Sequence, residues 1–167
     1  MDRLQQTGTK AFTLVESLMA AVVLTVAITA ITMPFAAGAR NEETDGRMTL
    51  ATGLAQEMME EVLSKPVKDP QGGTAFGPDA GEVTRSRYDD VNDYKTVTEA
   101  AGQIADAGGA IIKSPLSSGL SRETTVAYAW LDGQDTSKPA DFYRVTVTVK
   151  HRGTTLITLS RLICLTL

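Results

Sequence analysis

The stretch from Lys10 to Ala39, KAFTLVESLMAAVVLTVAITAITMPFAAGA, decides how the rest of the chain is read. Glu16 is its only acidic residue, and no charge occurs from Ser17 to Ala39, a run of 23 residues. A helix of that length, rising ~1.5 Å per residue, crosses the roughly 30 Å of hydrocarbon in a bilayer. A charge inside such a segment costs about 2.5–3.5 kcal/mol at the bilayer centre, and less near an interface. Glu16 therefore needs a reason, and the plainest is a place at the helix end with its carboxylate reaching the headgroups.

Beyond Ala39 the pattern turns polar but stays helical. In Arg40 to Lys65, RNEETDGRMTLATGLAQEMMEEVLSK, the residues Met48, Ala51, Ala55, Met58 and Val62 recur at steps of three and four, and Leu54, Met59 and Leu63 widen the stripe. Glu57, Glu60, Glu61 and Lys65 fall largely outside it, and Glu61 and Lys65 have the i,i+4 spacing of a surface ion pair. This is an amphipathic helix that packs on something, with methionine as adaptable core filling. Pro66 ends it. Continuous from Phe12, it comprises 54 residues, or roughly 80 Å.

Residues 66–81 hold three of the six prolines and four glycines, which predicts a loop. Tyr88-Asp89-Asp90-Val91-Asn92-Asp93-Tyr94 follows. Asp89, Asp90, Asn92 and Asp93 can offer oxygens to Ca²⁺ or to a partner, or can cap a solvated turn with their side chains; the spacing lacks the glycine and distal glutamate of an EF-hand. Residues 95–121 have no clean period and predict a variable loop with one short strand at 110–113. The last third predicts strands. Val126, Tyr128 and Trp130 alternate with Ala127, Ala129 and Leu131; Tyr143, Val145, Val147 and Val149 alternate with Arg144, Thr146, Thr148 and Lys150; and residues 154–165 return after a tight turn at Arg152-Gly153. The fold class is α+β: a long N-terminal helix, membrane-spanning in its first half and amphipathic in its second, packed on a C-terminal antiparallel sheet of three to four strands that covers the methionine-rich stripe.

Composition limits the function. Asp2 and Glu16 offset Arg3 and Lys10, so the net charge of −4 lies wholly in residues 40–167. An acidic remainder argues against nucleic-acid binding. Cys164 is the only cysteine, which excludes an internal disulfide, and its apolar surroundings predict burial. His151, the only histidine, is expected in an exposed loop beside the turn. The motifs GxSxG, HExxH and CxxC are absent, and the carboxylates lack an organising pattern, so the chain reads as a structural protein rather than an enzyme.

Lys10-Ala11-Phe12-Thr13-Leu14-Val15-Glu16 resembles the processing signature of type IV pilins and type II secretion pseudopilins. Ala11 stands where that family usually has glycine. The resemblance implies a leader, residues 1–11, removed between Ala11 and Phe12 by a prepilin peptidase that also methylates the Phe12 amine. It implies a filament-core helix over 12–39, an amphipathic half over 40–65 and a periplasmic or extracellular domain over 66–167. Glu16 would pair with a neighbour's Phe12 amine during assembly, and Pro34 with Gly38 would mark either a melt point of the helix or simply its exit from the membrane. The helix end AQEMMEEVLSKP and the acidic turn are similar to those of minor pilins and pseudopilin I-like subunits. Partners implied are sibling subunits, the peptidase, the inner-membrane assembly platform and, before assembly, lipid. The leader's net charge of +1 keeps the N-terminus cytoplasmic. The competing readings are a secretory signal cut after Ala39, releasing a binding module that starts at Arg40, and an uncut single-pass anchor.

Overall fold

A computed structural model describes residues 13–73 and 75–165. The expected leader, residues 1–11, and the expected cut between Ala11 and Phe12 lie outside the described residues. The chain divides into two compact units, Met1–Glu43 and Thr44–Leu167. The longest element, α1, covers Leu14–Leu63.

In the first unit α1 is apolar and uncovered. Leu14–Phe35 is the one described helical stretch long and apolar enough to cross a membrane, and none of it is buried by protein. Its hydroxyls are satisfied within the helix. Thr25 Oγ1 donates to the Ala21 carbonyl at 2.8 Å, Thr29 Oγ1 to Thr25 at 2.8 Å and Thr32 Oγ1 to Ile28 at 3.0 Å. Such back-bonding removes the polar cost of threonine in an apolar medium. Pro34 lies inside α1 and does not end it.

In the second unit the helix packs on a four-stranded antiparallel sheet in the order β1-β2-β3-β4: Thr96–Glu99, Leu120–Ala129, Phe142–His151 and Thr154–Cys164. Sequential antiparallel order needs only hairpins and loops, never a crossover. Arg152 (φ 49°) and Gly153 (φ 85°) make the β3–β4 turn, where both central residues need positive φ. The core is the stripe read from sequence. Ala51, Leu54, Ala55, Met58, Met59 and Val62 are buried against Leu120, Val126, Tyr143, Val145, Val147 and Val149, with Val91, Tyr94 and Ile104 closing the side. In β3 the alternation holds throughout Tyr143–Val149.

Several expectations are corrected. Met48 and Leu63 remain 40% and 43% exposed, because the sheet covers only the stretch between them. Glu61 turns from Lys65 towards Arg85 and Tyr94, while Lys65 Nζ donates to the Tyr88 carbonyl at 2.6 Å. Residues 110–113 form no strand, only the isolated bridge Ala105–Ile111; the first strand is instead Thr96–Glu99, too short to show a period. β2 starts six residues before Val126 and ends at Ala129, so Trp130 and Leu131 lie outside it. Cys164 is exposed: along β4 it shares the outward parity of Thr158 and Ser160, opposite that of Ile157, Leu159 and Ile163. His151 is the half-buried last residue of β3, not a loop residue.

The packing gives a direct contrast. Met58→Ala should cost about 2–5 kcal/mol of stability, as for a fully buried methionine, and Met48→Ala less than about 0.5 kcal/mol. Denaturant unfolding of the two variants, followed by near-UV circular dichroism, measures the difference.

Candidate functional site

Three sets of side chains carry charge or chemistry. The first stands at the start of α1. Glu16 Oε2 accepts the Thr13 backbone N–H at 3.1 Å and the Thr13 hydroxyl at 3.0 Å, and Thr13 Oγ1 accepts the Glu16 N–H at 3.3 Å. This is a reciprocal capping box, Thr-x-x-Glu, which satisfies donors that a helix start leaves open. It also places a carboxylate at the positive end of the helix. Glu16 thus has a local partner within its own chain. The signal was present in the sequence as Thr13-Leu14-Val15-Glu16, three residues apart at the head of an apolar run.

The second set is the acidic turn, and its four nominated residues separate into two roles. Asp90, 2% exposed, accepts the N–H groups of Asn92 and Asp93 through Oδ1 at 2.7 and 3.1 Å, and the Asn92 amide through Oδ2 at 2.7 Å. Asn92 Oδ1 accepts the Gly77 N–H at 2.6 Å. These two residues fold the turn and hold the preceding loop to it. Asp93 Oδ2 also accepts locally, from the Asp89 and Asp90 N–H groups at 3.0 Å each. Yet carboxylate oxygens of Asp89, Asp93 and Glu82 all lie within 4.8 Å of one another. Glu82 was not singled out from sequence, because it lies seven residues before Asp89 across a 3₁₀ turn, Arg85–Arg87.

The crowding is visible in the acidities. Burial, followed by the charge of Asp93, pushes the Asp90 carboxyl up to about 6. Asp79 is raised by its hydrogen bond to Asp69, then by burial and the neighbouring charges of Asp69, Asp93 and Asp89. At Glu82 the bond from the Asp79 N–H lowers the pKa, but burial and the charges of Asp93 and Asp89 outweigh it and the net shift is upward. Asp69 moves the other way, held ionised chiefly by the Gln71 N–H.

The third set is buried, and sequence reasoning missed it. Arg122, 1% exposed in its side chain, sits on the inward face of β2. Its Nε donates to Glu99 Oε2 at 2.5 Å, Nη1 to the Leu54 carbonyl at 2.8 Å and Nη2 to the Ala105 carbonyl at 2.7 Å. Arg85 Nη1 donates to Glu99 Oε1 at 2.7 Å, its Nε lies 3.1 Å from Glu61 Oε1, and its Nη2 donates to the carbonyls of Ala105 and Asp106. The Tyr94 hydroxyl donates to Glu61 Oε1 at 2.7 Å. Two guanidinium groups and two carboxylates alternate, so the set is electrically neutral and its geometry is structural. The parity of Leu120, Arg122, Thr124 and Val126 was the signal that could have found it.

No protein-family model, no curated protein and no solved structure matches the chain.

Two measurements follow from these geometries. Arg122→Leu should cost about 3–5 kcal/mol, because it leaves Glu99 with an uncompensated buried oxygen; urea unfolding tests it. Asp90 binds its proton in the folded chain over pH 3.8 to about 6, where the unfolded chain has released it. Its contribution to stability therefore falls as pH rises through that window and is level above it. A ¹³C carboxyl titration should place Asp90 near pH 6; a midpoint near the ordinary aspartate value would refute the burial account.

Proposed function

We propose that the chain is a structural subunit, a minor pilin or pseudopilin, of a type IV pilus or type II secretion pseudopilus. The observation that carries this reading is the sequence order at the N-terminus. A small residue and a phenylalanine, Ala11-Phe12, are followed at once by the Thr13–Glu16 capping box and then by an apolar stretch, Leu14–Phe35, that no part of the described protein covers. A helix with that exposure requires lipid or other helices around it. The same element continues into a half that packs on a sheet, so one helix combines an anchor with a folded domain.

In this reading the chain enters the inner membrane with its N-terminus cytoplasmic and residues 66–167 periplasmic. A prepilin peptidase cuts between Ala11 and Phe12 and methylates the new amine. The assembly platform passes the subunit from lipid into a bundle of sibling helices. Glu16 then exchanges its Thr13 bonds for the charged Phe12 amine of a neighbour. An ion pair between two full charges in a low-dielectric bundle is stronger than the charge–dipole contacts it replaces, which makes Glu16 a recruitment and register device. Pro34 lacks a donor and Gly38 lacks a side chain, so a loosening of the helix in the filament would begin there. No cofactor and no catalytic step enter this reading. A membrane-tethered or secreted binding module remains the competing reading, and the position of the mature N-terminus separates the two.

Mass spectrometry of the chain co-expressed with a prepilin peptidase should find a mature form beginning at N-methylated Phe12. A start at Arg40 would replace the filament reading with a secreted domain, and an intact Met1 would favour a plain anchor. Glu16→Ala should leave cutting unchanged and reduce recovery in filaments severalfold; normal incorporation would sink the pairing role.

A further inference from the structure

The inward face of the sheet is covered by α1 only as far as the helix extends. At the end of β2 and the start of β3, Tyr128 and Tyr143 are direct partners in the register, on the parity of Val126 and Val145. Their rings lie 5.2 Å apart between centroids. The residue that reaches them there is Phe76, from the loop after the helix, stacked on Tyr128 at 4.8 Å. A loop covers less than a helix does, and Tyr128 stays 48% exposed. A cavity of about 330 Å³ remains, lined by both tyrosines, Asn92, Lys68, Asp69 and the neighbouring loop backbone. That volume is at the lower end of the range for small-ligand sites.

We infer that this cavity binds an organic ammonium cation, seated against the rings of Tyr128 and Tyr143 with the Asp69 carboxylate as its counter-charge. Aromatic faces attract ammonium groups through the ring quadrupole, and a desolvated contact of this kind is a specific one. The same aromatic cluster already holds one ammonium, since Lys95 Nζ lies 5.4 Å from the Phe76 centroid. Asp69 accepts the Gln71 N–H at 2.6 Å through Oδ1 and the Gly73 N–H at 2.7 Å through Oδ2. The Asp79 side chain and the Gly72 N–H also bond to it, so Asp69 is held ionised and enters the cavity as a fixed negative charge rather than as a spare acceptor. The hydrogen bond to Asp69, then burial and the charges of Asp69, Asp93 and Asp89, raise the Asp79 carboxyl, so the negative field in this loop is shared by several carboxylates. Lys68 lines the cavity as the chain's own competing cation and keeps the affinity weak. The ligand chemistry is a primary alkylammonium, as carried by a lysine side chain of a partner or by a free amine. This inference does not depend on the filament reading.

The test uses the full-length chain in detergent and butylammonium chloride as probe, with thermal unfolding as readout. Butylammonium should raise the unfolding midpoint more than sodium chloride does at equal ionic strength. Tyr128→Phe, which keeps the ring, should retain the excess rise, and Tyr128→Leu should lose it. A capped lysine peptide that acts at lower concentration than butylammonium would identify a protein side chain as the source, and equal potency would identify a free amine. An equal rise with sodium chloride would reduce the effect to screening and overturn the inference. So would a rise that survives Tyr128→Leu, or a rise seen with Ca²⁺ but not with butylammonium, which would make the acidic loop a metal site instead.

Discussion

A single arginine on the inward face of β2 holds the second unit in one arrangement. Arg122 reaches a helix carbonyl at Leu54, a strand carboxylate at Glu99 and a loop carbonyl at Ala105. Through Glu99 it is joined to Arg85, and through Arg85 to Glu61 on the helix. Replacing such a network by apolar side chains is often neutral or stabilising, so its worth lies in specifying an arrangement more than in net free energy. The chain between 64 and 119 has little regular structure and few core residues beyond Val91, Tyr94 and Ile104. The buried charges tie that segment down where apolar contact alone would leave alternatives, since each donor finds its acceptor in only one register.

The two halves of α1 obey different solvents. Between Ala51 and Val62 the apolar side chains are covered by the sheet and the polar ones face water or the ion network. Between Leu14 and Phe35 the apolar side chains are exposed all round, and every threonine from Thr25 to Thr32 folds its hydroxyl back on the helix. A helix apolar all round is stable only in an apolar surrounding. The one charge in that half, Glu16, is placed where the helix start supplies donors for it.

The acidic loop shows one residue type used in two ways. Asp90 and Asn92 are spent on backbone donors and fold the turn. Asp79 and Glu82 are set among like charges and bind protons more tightly than ordinary carboxyls. The loop is therefore well ordered by hydrogen bonds and electrostatically strained at neutral pH. A cation nearby relieves that strain, whether it is a side chain, a small ligand or an ion.

The sequence alone determined the fold class, the membrane-length apolar helix, the core stripe from Ala51 to Val62 and the strand from Tyr143 to Val149, because each rests on a period of 3.6 or 2 sustained over several residues. It also contained the capping box at Thr13 and Glu16, a purely local pattern. Only the tertiary structure decided that β1 is Thr96–Glu99, since four residues pairing across a long loop leave no periodic trace. It alone brought Glu61, Arg85, Glu99 and Arg122 together, residues separated by 14 to 61 positions whose charges look solvated when read singly. It exposed Cys164 by strand parity and joined Glu82 to Asp89 and Asp93 through a turn. Local periodicity is written in the order of the residues; which distant polar groups satisfy one another is settled only when burial removes water as the alternative partner.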